Sequence, residues 1–387
     1  MNLDKRIKRH VIGPRHDFFA VALPGHEALV LREIEGLSPT VASGAPAKGG
    51  AVFSGRLTDL YLANLHLRLA GRILMRIASF RAAGFSRLER QARAVTWSLY
   101  LPAGEIPRIQ VTAHHSRLYH TQAVAERIQT CIAEHWTQLG IEPAPSRDQT
   151  LFLRLLDDTA TLSLDSSGDN LYRRGLKTHS GRAPLRETLA ALILQIAGYR
   201  PDRPLLDPMC GAGTFSLEAA MMAKAVAPGL QRRFAFMRWP AFRSAQWEHL
   251  RQEAALRIKT LGRPLIWASD IDAAACARLS ACIAQNNLSD AVQVAQQEFF
   301  DLRPGEISNQ PGLVVLNPPY GRRLPALATA ESLYQRIAGK LVQDFKGWKV
   351  ALLVPDENLA RRLNLPLRFL QLAHGGLTPV LLTGRMT

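Results

Sequence analysis

The chain has 387 residues, 47% hydrophobic and 21% charged, which is the composition of a soluble globular protein and too long for one ordinary domain. Its 48 Lys and Arg exceed 32 Asp and Glu by +16, and that excess favours a polyanionic partner through counterion release and long-range attraction. No run approaches the ~20 apolar residues of a membrane span, and four cysteines without a C-x-x-C pair leave no zinc site to propose.

The charge is uneven. Residues 1–100 carry fifteen Lys and Arg against seven Asp and Glu, half of the total excess. The basic start, Lys5 to His10, is followed by Pro14, Arg15, His16 and Asp17, so the apolar stretch of a signal peptide is missing and a cytoplasmic protein with reduced thiols is expected. Phe18 to Leu23 predicts a short buried strand, His26 to Leu37 a helix with Leu29, Val30, Ile34 and Leu37 on one face, and Gly50 to Phe53 another strand. Thr58 to Ile77 predicts a long helix. On it Arg68, Arg72 and Arg76 recur at i, i+4 and i+8 and would share one face, either as ordinary solvated surface or as contacts to phosphates. Ile109 to Ala113 predicts a strand, His120 to Leu139 a helix, and Leu151 to Leu155 with Thr159 to Leu164 two strands about an Asp157-Asp158 turn. Ser166 to Asn170 is turn chemistry, and a polar, basic connector follows to Arg182.

From Pro184 the pattern changes. A helix (Leu185 to Ala197) precedes five short apolar runs that alternate with helices: Leu205-Leu206, Leu265 to Ser269, Val292 to Ala295, Leu313 to Leu316 and Val350 to Val354. That alternation predicts an α/β, doubly wound, mostly parallel sheet of the Rossmann type.

Two segments on that sheet carry chemistry. In Leu205-Leu206-Asp207-Pro208-Met209-Cys210-Gly211-Ala212-Gly213-Thr214, the glycines allow a tight turn and close ligand approach before a helix whose amide groups point at the ligand. Asp270, closing the next strand, is placed to take both hydroxyls of an adenosine ribose, with Asp272 as the competing candidate. Glu298 is ranked before Asp301 for an adenine amine. A nicotinamide cofactor would need its ribose acid ~20 residues after the glycines, whereas Asp270 lies much further on. The stretch between, Gln231 to Trp247, is basic and aromatic; it fits a lid, an RNA-contacting surface or a packed helical elaboration.

The second segment is Asn317-Pro318-Pro319-Tyr320 after a buried strand. An exocyclic base amine is a weak nucleophile because its lone pair is delocalised into the ring. The Asn317 side-chain oxygen and the Pro318 carbonyl can hold both of its hydrogens, bending the nitrogen towards tetrahedral geometry. Pro319 stiffens the turn, and Tyr320 offers a π-face to an extruded base. Such a site, paired with the glycine turn, predicts methyl transfer from S-adenosylmethionine to a nucleobase amine, driven by proximity and orientation.

These motifs resemble the THUMP-domain RNA methyltransferases, specifically the guanine-N2 module of the bacterial large-subunit ribosomal RNA enzymes and their YpsC-like stand-alone relatives. The matching stretches are Leu164 to Asp169 with Arg174-Gly175, Ala183 to Ala191, Leu206 to Thr214, and Asn317 to Gly321 with Arg323-Leu324. The resemblance implies an N-terminal ferredoxin-like domain with a basic tail (1–57), a THUMP RNA-binding domain (58–166), a linker (167–183) and a methyltransferase domain (184–387). It also implies S-adenosylmethionine as cofactor at Asp207, Pro208, Cys210, Gly211, Gly213, Thr214, Asp270 and Glu298. Asn317 to Tyr320 would be the catalytic tetrapeptide, Arg68, Arg72, Arg76 and Arg323 RNA contacts, and 23S rRNA or a pre-50S particle the partner, with no metal. Ala212 replaces a frequent serine and Glu298 a usual aspartate. The second methyltransferase half fused to some members has no counterpart here, so its modification is not expected. A tRNA guanine-N2 enzyme, an N6-adenine DNA enzyme and a catalytically silent RNA-binding factor are the alternatives.

Overall fold

The computed structural model describes residues 2–37, 41–176, 185–319, 327–372 and 379–387. The chain divides into two compact units, one of residues 1–171 and 229–253, the other of residues 172–228 and 254–387. Among the described residues no helix is long and apolar enough to cross a membrane.

The first unit is built on one seven-stranded sheet. Its strands are β1 (His16–Val21), β2 (Ala42–Ala47), β3 (Gly50–Gly55), β4 (Arg72–Arg81), β5 (Glu105–His114), β6 (Ala144–Leu156) and β7 (Thr159–Asp165), in the order β2-β3-β1-β4-β7-β6-β5. With the helices Glu27–Glu35 and Leu57–His66, the first four strands make a ferredoxin-like βαββαβ lobe. The remaining strands continue the same sheet through β4, which pairs antiparallel with both β1 and β7. β5 and β6 are parallel and joined by the helix Thr121–Gln138. The basic start is itself helical from Leu3, with Ile7 and Val11 buried.

Two expectations are corrected here. The helix predicted over Thr58 to Ile77 stops at His66, where Leu67 turns extended, and Arg72 opens a strand. A spacing of four fits a helical face and, being even, also fits one face of a strand. Ile73 and Met75, both fully buried, pack on the face of β4 that carries Phe18 and Ala20 on β1, and this burial decides for the strand. The arginine stripe is therefore not helical. Arg68 lies in the loop, where its amide and that of Leu69 donate to the Glu33 carboxylate. Arg72 is drawn into an ion pair with buried Asp165 and donates to the Gly168 carbonyl and, at 2.9 Å, to Asn170 Oδ1. A guanidinium held that way braces a turn, and a phosphate contact from it is not what the geometry offers. Second, the boundary expected at 57/58 cuts the lobe before β4, the strand that completes it.

The expected linker also starts later than 167. Ser166 and Ser167 are fully buried, exchanging hydrogen bonds with Asn64 at 2.8 and 2.7 Å, and Arg232 donates to the carbonyls of Asp169 and Asn170. The division falls after Leu171. Residues 177–184 lie outside the described ones.

The stretch Gln231 to Trp247 is a packed elaboration of the first unit. Phe236 stacks on Tyr61 with ring centroids 4.6 Å apart, Trp239 donates to Gln149 Oε1 at 3.0 Å, and Arg238 pairs with Asp148 and Glu105. Phe234, Phe236, Trp239 and Trp247 are all buried.

The second unit has the strands β8 (Leu205–Asp207), β9 (Ile266–Asp270), β10 (Val292–Gln296), β11 (Leu313–Leu316), β12 (Lys349–Val354), β13 (Arg368–Gln371) and β14 (Val380–Arg385), ordered β10-β9-β8-β11-β12-β14-β13. β8 to β12 are parallel, and β14 runs antiparallel between β12 and β13. The five-strand expectation thus lacked the last two strands. The central strands are covered on both sides, which is why β11 is an unbroken apolar run with every residue buried. Leu206, Val314, Leu316, Leu352 and Val354 pack with Tyr334, Ile337 and Leu341 of the helix Leu327–Asp344 and with Phe345 just after it.

Candidate active site

The two motifs, about a hundred residues apart in the chain, leave the sheet side by side. β8 and β11 are adjacent parallel strands, with Leu205 opposite Leu313 and Leu206 opposite Val314. From β8 the strand order proceeds to β9 and β10 on one side, and from β11 to β12 on the other. This reversal is a topological switch point, where crossovers depart to opposite faces and open a crevice at the carboxyl edge.

The turn after β8 is tight. Gly211 has φ +50° and Gly213 φ +69°, and Gly213 caps the helix Thr214–Ala223. A Cβ on Gly213 would lie 2.2 Å from Leu279 Cδ1, in the buried interior, whereas one on Gly211 would meet nothing within 4 Å. The two glycines therefore serve different needs, close packing of two helices and access to the backbone. Gly213→Ala should lower stability by about 2–4 kcal/mol, from left-handed strain plus overpacking, and Gly211→Ala by only about 1–2 kcal/mol. Thermal unfolding of the two variants checks the difference, and equal losses would contradict it.

Asp207 is 1% exposed, and its Oδ2 accepts from the Ser216 amide at 3.2 Å and the Ser216 hydroxyl at 2.7 Å. It braces the first turn of the helix, so its influence on a ligand passes through the loop. Pro208 and Thr214 are buried with it. The Cys210 amide donates to the Ser269 carbonyl at 2.9 Å, tying the turn to β9. Burial, reinforced by the charges of Asp207 and Asp270, pushes the Cys210 thiol far up, and burial also raises that of Cys276. Both shifts favour the protonated thiol over the reactive thiolate.

Asp270, half-buried at the end of β9, accepts the Gly211 amide on Oδ2 at 2.8 Å and the Asp272 amide on Oδ1 at 3.0 Å. Its competitor Asp272 caps the helix Ala273–Gln285 through the Ala274 amide. Asp270 is thus the one of the two that touches the glycine turn. The Asp270 carbonyl accepts from the Gln297 amide, which places half-buried Glu298 beside it at the end of β10, while Asp301 is exposed.

On the other side of the crevice, Asn317 follows directly on β11. Its Oδ1 is buried and, among the described residues, has no hydrogen-bond partner. Pro318 is buried and Pro319 half-buried. Tyr320 and Arg323 lie outside the described residues. Among those described, no group of three or more His, Cys, Asp or Glu could hold a metal ion.

One feature the motifs did not expose is a buried ion pair. Arg174 Nε donates to Glu218 Oε1 at 2.8 Å, with both side chains at most 2% exposed. A lone acid inside the apolar run Phe215 to Ala223 was the available signal for it.

This strand order, with β14 reversed, and a glycine turn facing an Asn-Pro-Pro segment define a Rossmann-type methyltransferase domain, preceded in this chain by a ferredoxin-like one. Residues 174–369 match the family described as RMKL-like, methyltransferase domain, and residues 17–74 match the RlmL ferredoxin-like domain. The chain belongs to the RMKL-like methyltransferase family. The ribosomal RNA large subunit methyltransferase K/L of Methylococcus capsulatus is 34% identical over 361 residues, 90% of this chain and 48% of that protein. The chain spans about half the length of the K/L relatives it matches. Among solved structures, SMU.472, provisionally named a methyltransferase and complexed with SAH, superposes with a TM-score of 0.84 at 26% identity, covering 96% of this chain and 98% of that one. A Listeria monocytogenes protein, described by prediction as an N6-adenine-specific DNA methylase, gives a TM-score of 0.87 at 26% identity, covering 100% and 99%.

Proposed function

We propose that this chain is an S-adenosylmethionine-dependent RNA methyltransferase that modifies the exocyclic N2 amine of a guanine in 23S rRNA. The observation that carries the reading is Asn317 Oδ1, a buried acceptor without a partner among the described residues, one strand away from the glycine turn. A buried acceptor left unpaired costs free energy, and such groups are retained where a ligand supplies the donor. The name of the K/L relative supports an RNA substrate, as does the net charge of +16, and the SAH complex of a structural neighbour supports the cofactor.

The residues present fit that cofactor. The Gly211 backbone can be approached without steric cost, and Asp270 and Glu298 are half-buried carboxylates at neighbouring strand ends, suited to ribose hydroxyls and the adenine amine. When bound, S-adenosylmethionine supplies an electrophilic methyl on a sulfonium that departs as a neutral thioether. This chain's part is then to bind, orient and exclude water. Asn317 Oδ1 and the Pro318 carbonyl take the two amine hydrogens, Tyr320 stacks the base, and Arg323 meets a flanking phosphate. No strong base is required, because the nitrogen gains its positive charge as the bond forms and sheds a proton to water afterwards.

The Listeria description favours a second reading, N6-adenine methylation of DNA, since the same two acceptors suit that amine. One experiment separates the readings: tritiated methyl transfer to rRNA, tRNA and DNA from cells lacking the protein, followed by nucleoside identification. N2-methylguanosine in large-subunit rRNA is the expected product. Label confined to tRNA refutes the ribosomal substrate, N6-methyladenine in DNA refutes the RNA reading, and no incorporation refutes an enzyme.

A further inference from the structure

The seven-stranded sheet buries one face. Ile73, Met75, Leu151, Leu153, Leu155 and Leu162 form it and are at most 1% exposed. The alternate residues point to the opposite face, and along β4 to β7 these are cationic, hydroxylic and aromatic. The pairing registers place Arg76 in a row with Ser163 and Phe152, Arg154 in a row with Thr112 and Thr161, and Arg81 in a row with Thr159 and Leu156. Arg108 of the outer strand β5 lies on the same side, opposite Thr150. Arg81 and Arg108 are exposed and Arg154 half-exposed. Among the described residues none of these three forms an ion pair; of the acids on this face, Asp165 is taken by Arg72 and Asp17 of β1 faces Arg76. Two half-exposed rings, Phe19 and Phe152, each lie under an arginine, Arg76 at 5.4 Å and Arg72 at 5.5 Å.

We propose that this open sheet face is an RNA-contacting surface, with Arg81, Arg108 and Arg154 meeting phosphates and the part of the Phe152 ring that Arg72 leaves exposed packing against an unpaired base. The inference rests on the RNA reading above and adds where the first unit would hold its substrate. Charge complementarity selects a polyanion. The breadth of the face selects unpaired nucleotides, because a duplex groove admits a helix or a two-stranded ribbon and not a sheet of this width. Rings flanked by guanidinium groups on a flat sheet suit splayed bases, which loops and bulges of RNA provide. The spacing of Arg72 and Arg76 thus marks a shared sheet face.

The test compares wild type with the triple variant Arg81→Gln, Arg108→Gln, Arg154→Gln and with Phe152→Leu, measuring affinity for large-subunit rRNA fragments across salt concentrations, KM for that RNA, and thermal midpoint. The triple variant should bind roughly tenfold to a hundredfold more weakly near 0.1 M salt, with the slope of log K against log salt reduced by about 2. Its KM should rise in parallel and its thermal midpoint stay unchanged. Phe152→Leu should weaken binding roughly fivefold or more without altering the slope. If wild type methylates rRNA and the triple variant keeps wild-type affinity and slope, this surface is overturned and the proposed function stands. If wild type methylates DNA and no RNA, the proposed function falls and takes this inference with it.

Discussion

Asn317→Ala should lower methyl transfer roughly 100- to 1000-fold, the range seen when one preorganised hydrogen-bonding group is removed from a reacting centre. Cofactor affinity should change little, because Asn317 follows β11, across the crevice from the glycine turn, Asp270 and Glu298. The reason for so large an effect is geometric. The amine must present its lone pair in line with the methyl, and alanine leaves one hydrogen of the pair unheld, so the planar, conjugated form of the amine dominates. Asn317→Asp keeps an acceptor at the same place and should retain more activity than alanine. Single-turnover rates together with calorimetric titration of S-adenosylmethionine decide the matter. Parallel loss of rate and cofactor affinity would mean that Asn317 shapes the whole pocket and has no specific role at the amine.

The site was legible in the sequence as two fragments, and their meeting was not. Leu205 to Thr214 and Leu313 to Tyr320 each display a buried run followed by turn chemistry, because strands covered on both faces are apolar throughout. That they lie next to each other follows from the strand order, which a list of strands does not contain. The roles within the glycine turn were legible only in part. Asp207 reads in the sequence as a ligand-facing acid, and its bonds to the Ser216 amide and hydroxyl became visible only in the fold; Asp270 and Asp272 could be told apart only once the Gly211 amide was seen to choose between them. In the first unit, Arg68, Arg72 and Arg76 misled because a period of four is shared by both kinds of secondary structure, and the cue that decides, burial of Ile73 and Met75, is a tertiary one. Ser166 to Asn170 has the composition of a loose connector. It is tightly held because Asn64 and Arg72, distant in sequence, satisfy it.

Glu218→Ala should destabilise the second unit strongly, by roughly 3–5 kcal/mol, since it removes the carboxylate that pairs with the buried Arg174 guanidinium. At this size that is a fall in thermal midpoint on the order of 10 °C. The pair itself need not stabilise the fold relative to apolar residues, because desolvation of two ions offsets much of their attraction. The double variant Arg174→Met, Glu218→Met should therefore recover most of the loss. A double variant as unstable as Glu218→Ala would show that the ionic hydrogen bond is indispensable, and a loss under about 1 kcal/mol in the single variant would show that the guanidinium finds another acceptor. The consequence reaches the glycine turn by a short chain of contacts. Arg174 anchors the segment whose Leu176 carbonyl is held by Cys282 and Asn286 at the end of the helix Ala273–Gln285. That helix carries Leu279, the side chain that Gly213 must clear. Loosening the pair should thus widen the packing beneath the turn, and S-adenosylmethionine affinity should fall in Glu218→Ala and return in the double variant. An affinity that stays at the wild-type value while stability drops would show that the bonds of Asp207, Ser269 and Asp270 hold the turn without help from this packing.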